Sequence, residues 1–573
     1  MSENNLRKLR VASLQLEALD LPRANEALQR ALALIDRAAA EYQPDLIVTP
    51  ECTYPAYVLG NEKEFKTHYP GDPLPHFAEK ARQHNCHIIV GLATPTEDPE
   101  GKLLLYNEAV LFSPAGDVIG RTAKSLLWHF DSKWFCPGTS YPVFDTEIGR
   151  IGMIVCADGR QPEISRILAL QGAQIIVDPT AWVTYGTDRQ ALTNPQADFM
   201  LATRAFENGV WCVASDKIGL ERGTVLYAGR SSIISPEGKK VAVGSSDKEE
   251  IVFAEIDLKP RPLPSAPRYP KLYHDLVEPT ENQPIHFILQ EALVPHRAHI
   301  RAAVAQYRSF TSTEQMGEVT RTLVKQLERE SADLVALPDI APGFAEEAAQ
   351  RGDLVFPFYR TLSKLRGVAI LATAVESEGN RRYKTARLFQ NGMELGVWRQ
   401  THFTVQDEGY WTPATEIGPV VRLNGSAARI GVMLGADGYG PEVARCLMLK
   451  GADVILYPTR AVLPTNDFSL SQLVRSRASE NRVYVLAATP LETLKDLSGN
   501  SIRGSSLIAD PSGAVIAPAL PDTAMAVSAQ LILGLSRNKL SAPGTDVVYN
   551  RMPDVYHMLT EDENSGTLEK SPE

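Results

Sequence analysis

The 573-residue sequence lacks the features that mark membrane and nucleic-acid-binding proteins. No apolar run approaches the about 18 residues of a membrane-spanning helix. The N-terminal stretch MSENNLRKLR is polar and runs into a predicted strand, so no signal peptide is expected. The net charge of -11 comes without a basic stripe. We therefore expect no membrane and no nucleic acid among its partners.

Cysteine is scarce and unevenly placed. No CxxC pair occurs, so neither a zinc site nor a disulfide framework is indicated, and no metal or other cofactor is expected. This usage predicts a reduced, cytoplasmic protein. The six cysteines are Cys52, Cys86, Cys136, Cys156, Cys212 and Cys446.

The composition is that of an ordinary globular protein, with 44% hydrophobic and 22% charged residues. The length suggests about two to four domains. Strand and helix patterns alternate, which favours a layered α/β domain with two sheets. In the first half, strands are predicted at 11–15, 45–50, 87–92, 104–112, 118–124, 151–155, 175–177, 210–214, 231–234 and 251–256, and helices at 21–40, 75–84, from 162 onward and at 190–207.

The same order of segments returns in the second half, which indicates a tandem duplication. VASLQL around Gln15 recurs as AAVAQY around Gln306, and RIGMIVCADGRQPE recurs as RIGVMLGADGYGPE. GAQIIVDPTAW recurs as GADVILYPTRA, and RAFEN as RASEN. A Pro-rich, charged stretch separates the copies, so we predict one domain over 1–285 and a second over 286–573.

Cys156 lies where the strand 151–155 gives way to a helix opening at Pro162. Taken alone, such a cysteine is usually inert core. The end of a strand nevertheless fixes a side chain firmly, and a following helix start favours an anionic thiolate. Partners elsewhere in the chain must decide between these interpretations.

Those partners are an acid in PE at Glu51, a lysine in GRTAK at Lys124, and the CADGRQPE segment that carries Cys156. Together they resemble the nitrilase, or carbon-nitrogen hydrolase, superfamily, and the resemblance extends over both halves in order. It implies two tandem αββα sandwich domains, with a Glu-Lys-Cys triad at Glu51, Lys124 and Cys156. The residue types suit the chemistry without a metal. Glu51 serves as base and then acid, and Lys124 offsets the oxyanion charge and lowers the pKa of the thiol.

The resemblance also indicates substrate-binding residues. The family often has a further glutamate before an F-x-P-G segment, and that position is Asp131 here, one methylene shorter; the alternative is a solvated loop residue. Arg160 is predicted either to bind a substrate carboxylate or to form an ion pair with Glu163 or Asp158. Tyr54, Trp182 and Trp134 are predicted to line the pocket or to belong to the core.

The second copy has lost the chemistry. Gly435 replaces the nucleophile, Gln400 replaces the lysine, and Asp339 is a shortened acid. We therefore predict a folded but catalytically inactive domain. It would pair with the first domain inside one chain, and a homo-oligomer stays open.

The C-x-D-x-R-x-P-E pattern resembles the amidase and carbamoylase branches. We predict hydrolysis of a non-peptide linear amide or an N-carbamoyl compound through a thioester. Two alternatives remain: a nitrilase or acyltransferase using the same intermediate, and a non-catalytic scaffold or ligand-binding protein.

Overall fold

The computed structural model describes residues 8–184, 192–258, 267–308, 310, 312–339, 354–404, 409–460, 468–491, 493–495, 501–503 and 505–561. The chain divides into two compact units. The first comprises Met1–Leu263 together with Ala542–Thr545, and the second comprises Pro264–Ser541 together with Asp546–Glu573. The stretch that follows the first repeat, from Pro264 onward, therefore belongs to the second unit, and the segment Ala542–Thr545 near the end of the second repeat belongs to the first unit.

The first unit contains two large sheets. In one, Leu9–Glu17 is central, pairing parallel with Leu46–Val48 and Lys217–Ile218 and antiparallel with Glu250–Ile256. This sheet continues through His87–Glu97, Leu103–Phe112 and Val118–Ala123. The other sheet runs in the order Lys240–Val243, Ser232–Ile234, Trp211–Ser215, Ile175–Pro179, Gly149–Met153 and Val143–Thr146. A small ribbon pairs Leu220–Glu221 with Val225–Leu226.

Hydroxyl groups join the facing strands of the two sheets. Ser13 donates to the Ala214 carbonyl at 2.7 Å, and Ser215 donates to the Val48 carbonyl at 3.2 Å. Helices cover the outer faces, giving an αββα order. The helices are Ala24–Tyr42, Glu62–His68, Leu74–His84, Pro162–Leu170 and Leu201–Asn208, the last preceded by a π-helical turn over Gln196–Met200.

Local sequence explains where the helices next to the site begin and end. Gln161 is extended and Pro162 occupies the first helical position, where its fixed φ fits and its missing N–H costs nothing. The helix Leu201–Asn208 ends at Gly209, which adopts a left-handed φ of 64°. The predicted helix 190–207 thus starts later, at Gln196, after Pro195; residues 190 and 191 lie outside the described residues.

The second unit repeats the two sheets. One has the order Met393–Arg399, Arg381–Gln390, Ala369–Glu378, Leu334–Ala336, His299–Gln306 and Met525–Ile532. The other has the order Val421–Arg422, Arg429–Val432, Val454–Pro458, Tyr484–Ala488, Leu507–Ala509 and Val515–Pro518. Short ribbons pair Thr493–Lys495 with Ser501–Arg503, and Leu540–Ala542 with Thr545–Asp546.

Helices of this unit are Pro284–Gln290, Thr313–Arg329, Val355–Arg366, Glu442–Leu449, Leu470–Asn481 and Leu533–Arg537. One apolar core lies between the sheets, including Val304, Leu334, Val454 and Leu486. A second core lies under Thr313–Arg329 and Val355–Arg366. The predicted α/β class with two tandem αββα sandwiches is confirmed. Among the described residues, no helix is long and apolar enough to span a bilayer.

Candidate active site

The backbone of Cys156 is held in an unusual conformation. The strand Gly149–Met153 ends two residues early, and Cys156 opens a 3₁₀ turn with a left-handed φ of 51°. Its N–H donates to Asp178 Oδ1 at 2.6 Å, and its carbonyl accepts from Gln196 Nε2 at 2.6 Å. A non-glycine residue in this region carries strain, which persists because its surroundings over-determine it. Hydrogen bonds therefore fix the backbone of Cys156 on both sides of its Cα.

Glu51 and Lys124 follow two strands of the other sheet that are separated by the strands His87–Glu97 and Leu103–Phe112. Glu51 follows the strand Leu46–Val48, and Lys124 follows Val118–Ala123. Both side chains are fully buried, and Lys124 Nζ lies 2.7 Å from Glu51 Oε1. Asn107 Nδ2 donates to the same oxygen at 2.5 Å. Glu51 Oε2 has no hydrogen-bond partner among the described residues, so one carboxylate oxygen is left available for proton transfer.

Asp131 completes the cluster. Its Oδ2 lies 2.7 Å from Lys124 Nζ and accepts the Trp128 N–H at 2.9 Å, while Tyr57 donates to its Oδ1 at 2.6 Å. Its side chain is fully buried, so Asp131 is not a solvated loop residue. The structure thus places Lys124 between two carboxylates, Glu51 and Asp131. The sequence analysis did not predict Asn107 or Tyr57 as site residues. The Tyr106-Asn107 pair, in the strand Leu103–Phe112, was the sequence signal for Asn107.

Charge and burial together set the ionisation of this cluster. Burial raises the pKa of the Cys156 thiol well above its usual range, and the Glu51 carboxylate adds to this. Lys124 lowers the pKa of the thiol, as the sequence predicted, but the other two effects outweigh it. The carboxylates of Asp131 and Glu51 raise the pKa of Lys124 well above its usual range despite its burial. The arrangement is therefore a neutral thiol beside a fixed cation, and such a thiol needs a base before it can attack.

Asp158 braces the loop that follows Lys124. Its Oδ1 accepts the Ser125 N–H, the Ser125 hydroxyl and the Leu126 N–H at 3.0, 2.8 and 2.8 Å. Its Oδ2 accepts the Val155 N–H at 3.1 Å. One buried carboxylate thus ties the lysine loop to the residue that precedes the nucleophile.

Arg160 lies beside this turn and is buried. Its Nε donates to Gln196 Oε1 at 3.1 Å, and its guanidinium carbon lies 4.3 Å from the centre of the Trp128 ring. Gln196 also holds the Cys156 carbonyl, so Arg160 is linked to the nucleophile through one amide. Its predicted role as a carboxylate receptor stays a prediction.

The three aromatic residues predicted to line the pocket lie in different places. Tyr54 is part of the apolar core formed with the outer helices, and its hydroxyl donates to the Gly71 carbonyl at 2.7 Å. Trp134 donates through Nε1 to the Gly60 carbonyl at 2.8 Å. Trp182 is buried, and its Nε1 has no partner within the described part of the chain. Of the three, Trp182 alone has an unpartnered polar atom in the described structure.

Comparison with known proteins places these residues in a family. The family model described as "Carbon-nitrogen hydrolase" matches residues 10–260 and again residues 301–558, which together make up more than half of the chain. The chain belongs to the carbon-nitrogen hydrolase family. The predicted superfamily and tandem duplication are confirmed, and the protein is a carbon-nitrogen hydrolase.

Individual relatives each match less than half of this carbon-nitrogen hydrolase. A nitrilase of Pyrococcus abyssi is 32% identical over 227 residues, which cover 39% of this chain and 80% of the relative. The omega-amidase NIT2 of Homo sapiens is 29% identical over 260 residues, 44% of this chain and 89% of its own. Among solved structures, a carbon-nitrogen hydrolase from Helicobacter pylori is 25% identical with a TM-score of 0.39, covering 44% of this chain and 90% of its own.

A short late segment of this carbon-nitrogen hydrolase contributes to the first unit near Asp131. Thr545 belongs to the segment Ala542–Thr545, and its hydroxyl accepts the His129 N–H at 2.8 Å and donates to the Leu127 carbonyl at 2.9 Å. His129 has a left-handed φ of 52°. One hydroxyl therefore satisfies two backbone groups of the strained loop between Lys124 and Asp131.

The second carbon-nitrogen hydrolase repeat keeps the backbone of the site, with Gly435 and Gln400 at the positions of the cysteine and the lysine. Gly435 retains a left-handed φ of 49°, and a Cβ placed there would come within 2.9 Å of Gln400. Lys384 lies 2.8 Å from Asp339, and Tyr457 donates to the Gly435 carbonyl at 2.7 Å. The amide of Gln400 thus occupies the space beside the missing thiol. Across the described residues of both repeats, no group of three or more His, Cys, Asp or Glu side chains is placed to hold a metal ion.

Proposed function

We propose that the first unit hydrolyses a small, linear, non-peptide amide or N-carbamoyl compound through a thioester on Cys156. The observation that carries this proposal is the buried Glu51–Lys124–Asp131 cluster, in which Glu51 Oε2 has no partner among the described residues. The omega-amidase relative, and the CADGRQPE pattern, which resembles that of amidases, support the amide class.

The proposed steps give each group the role that suits its residue type in nucleophilic and acid–base catalysis. Glu51 accepts the proton of the Cys156 thiol, and the thiolate sulfur bonds to the amide carbon. Lys124 offsets the negative charge that develops on the carbonyl oxygen. Glu51 returns the proton to the departing nitrogen as the C–N bond breaks, leaving a thioester and free ammonia or amine.

Water completes the cycle. Glu51 takes a proton from a water molecule as the water oxygen attacks the thioester carbon. The C–S bond then breaks, and Glu51 gives that proton to the departing Cys156 sulfur, which regenerates the thiol and releases a carboxylic or carbamic acid. A neutral resting thiol suits this scheme because the proton that Glu51 gains from Cys156 is the one the leaving group needs. Asp131 and Glu51 both pair with Lys124, and Asp131 fixes the ammonium group of Lys124 in place.

We further propose that the second unit is catalytically inactive. Gly435 offers no nucleophile, and Gln400 carries no charge to stabilise an oxyanion. Its framework contacts support a folding and supporting role rather than an independent reaction.

The test is release of ammonia from a panel of amides, N-carbamoyl amino acids and nitriles, with wild-type protein beside Cys156→Ala. Release by the wild type that is lost in Cys156→Ala is expected for the amide or carbamoyl members. Cys136→Ala, which changes a partly exposed cysteine of the same unit, is the matched control and should retain activity. Equal release by wild type and Cys156→Ala would overturn the proposal.

Two outcomes separate the rival reactions. Release from nitriles alone identifies a nitrilase, and formation of hydroxamates from an amide and hydroxylamine in preference to free acid identifies an acyltransferase. Silence across the panel, with a Cys156 that iodoacetamide does not alkylate in the folded protein, identifies a scaffold.

A further inference from the structure

Asp178 is a buried carboxylate that touches the nucleophile but has no part in the proton transfers above. It lies in the strand Ile175–Pro179, is completely buried, and accepts the Cys156 N–H through Oδ1 at 2.6 Å. Its other oxygen, Oδ2, has no hydrogen-bond partner within the described residues. A buried, half-satisfied carboxylate is costly, so its presence beside a reactive residue calls for a function.

The second repeat shows what this position holds where there is no thiol. Its equivalent residue is Tyr457, whose hydroxyl donates to the Gly435 carbonyl at 2.7 Å. In the first repeat, Gln196 donates to the equivalent carbonyl, that of Cys156. Asp178, which stands at the strand position of Tyr457, accepts the Cys156 N–H instead. The two repeats therefore hold the same left-handed residue differently, and the carboxylate accompanies the cysteine.

Asp178 also lies within a group of buried charges. Burial raises its pKa well above the usual range, and the carboxylates of Glu51, Asp158 and Asp216 raise it further, while the N–H of Cys156 lowers it. The effect is mutual, because Asp178 raises the pKa of Cys156. Lys124 is the cation that opposes these carboxylates at the thiol. A thiolate on Cys156 is therefore harder to form when Asp178 is ionised.

We propose that Asp178 is a positioning residue for the nucleophile: its carboxyl group accepts the Cys156 N–H, locks Cys156 in its left-handed conformation and places a second acidic group beside the thiol. This inference rests on the proposed function. It assigns to Asp178 two separable effects, one on the geometry of the attacking sulfur and one on its ionisation.

Asp178→Asn separates the two effects, because the amide keeps an acceptor oxygen of the same reach and loses the charge. We expect the pH midpoint for alkylation of Cys156 by iodoacetamide, followed on the Cys156 peptide by mass spectrometry, to fall by about one unit. Asp178→Ala removes the hydrogen bond as well. We expect kcat to fall about tenfold or more, with a smaller change in KM, since a misplaced sulfur affects attack more than binding.

Asp216→Asn is the matched control. Asp216 is likewise buried, accepts the backbone N–H of Trp182 at 2.8 Å, and has an unpartnered Oδ2 among the described residues. It holds no atom of Cys156, so the alkylation midpoint should stay at the wild-type value. The same shift in both variants would mean a general charge effect and would overturn the specific role.

The alkylation measurement also separates this inference from the proposed reaction. A profile for Asp178→Asn that superimposes on wild type overturns the inference even if hydrolysis is found. A shifted profile with no hydrolysis of any substrate supports Asp178 and overturns the proposed function. Asp178→Asn preserves size and an acceptor, so the test stands on this variant if Asp178→Ala fails to fold.

Discussion

The two repeats share a supporting framework and differ in the groups that react. Asp158 and Asp437 each accept two N–H groups and a hydroxyl on one oxygen and a further N–H on the other. Arg204 and Arg477 both pair with a glutamate three residues on and donate to the carbonyl of a glycine, Gly159 or Gly438.

The repeats differ in the catalytic cluster and in the residues that hold its turn. The first repeat has a buried acid, lysine and thiol, whereas Gln400 and Gly435 replace the last two in the second. Lys384, at the position of Asn107, supplies the cation for Asp339 from a neighbouring strand. A buried carboxylate thus keeps a positive partner even where the chemistry is gone, because an unpaired buried charge is destabilising. Framework and chemistry are therefore separable in this fold.

The largest expected effect comes from giving the first repeat the second repeat's residue at the lysine position. Lys124→Gln removes the cation that faces both carboxylates, and we expect kcat/KM for the amide substrate to fall by about 10³-fold or more. The reciprocal change, Gln400→Lys, should leave ammonia release unaltered, since Gly435 provides no thiol. Activity gained in Gln400→Lys would contradict the assignment of an inactive second unit.

Asp131 tests whether the shortened acid still works. Asp131→Asn retains the size of the side chain but removes one of the two charges that fix Lys124, and we expect kcat to fall about 10²-fold. Asp131→Glu, which restores the length that the family resemblance implies, should lose less. Tyr57→Phe removes only a hydrogen bond to Asp131 and should cost less than tenfold, or about 1 kcal/mol. Steady-state kinetics of the three variants should give that order, and a reversed order would remove Asp131 from the site.

Lys539 tests the second unit through the stability of the protein rather than through its activity. It belongs to the second unit, donates to the carbonyls of Asn481 and Arg482 at 3.0 and 2.9 Å, and burial lowers its pKa to about 7. The unfolded chain, with a lysine pKa of about 10.4, binds more protons than the folded chain between about pH 7 and pH 10. Stability contributed by this residue therefore rises with pH across that window, by up to about 1.4 kcal/mol per unit.

Lys539→Met provides the check. Its free energy of unfolding, measured with urea at pH 7, 8 and 9, should fall progressively behind that of the wild type as pH rises. A difference that does not change with pH would mean that the folded lysine titrates normally.

The smallest expected effect concerns Thr545. Thr545→Val keeps the shape of the side chain but leaves the His129 N–H and Leu127 carbonyl without their hydroxyl partner, and we expect kcat to fall about three- to tenfold, or about 1 kcal/mol. Thr545→Ser should restore it. Unchanged kinetics in the valine variant would show that the loop before Asp131 holds its shape unaided.

Much of the fold could be predicted from the sequence because strand and helix patterns are local and occur twice. The strand 87–92, for example, is confirmed within His87–Glu97. Short edge elements such as Lys240–Val243 were missed, since four half-exposed residues give little pattern. The strand before Cys156 was predicted too long, because Ile154 and Val155 are apolar yet lie beyond its end at Met153, and Val155 donates its N–H to Asp158 instead of to a strand.

The site could be predicted only in part. Glu51, Lys124 and Cys156 stand in recognisable motifs, but the grip of Asp178 and Gln196 on Cys156 joins residues 22 and 40 positions away. Tyr54 was predicted to line the pocket and Tyr57 was not singled out, because only packing distinguishes the tyrosine in the helix-side core from the one bonded to Asp131. The pKa of the Cys156 thiol is raised mainly because the thiol is buried, and the burial of a side chain cannot be inferred from a sequence motif.

The left-handed residue after the strand has a different backbone cost in the two repeats. A cysteine in this conformation is less stable by about 1–2 kcal/mol than in its ordinary backbone states. Gly435 adopts a similar φ of 49° without that strain. A repeat that needs no thiol therefore gains backbone stability from glycine at this position and keeps the turn. Comparison of Cys156 with Gly435 illustrates how a reactive residue can be held at the expense of stability.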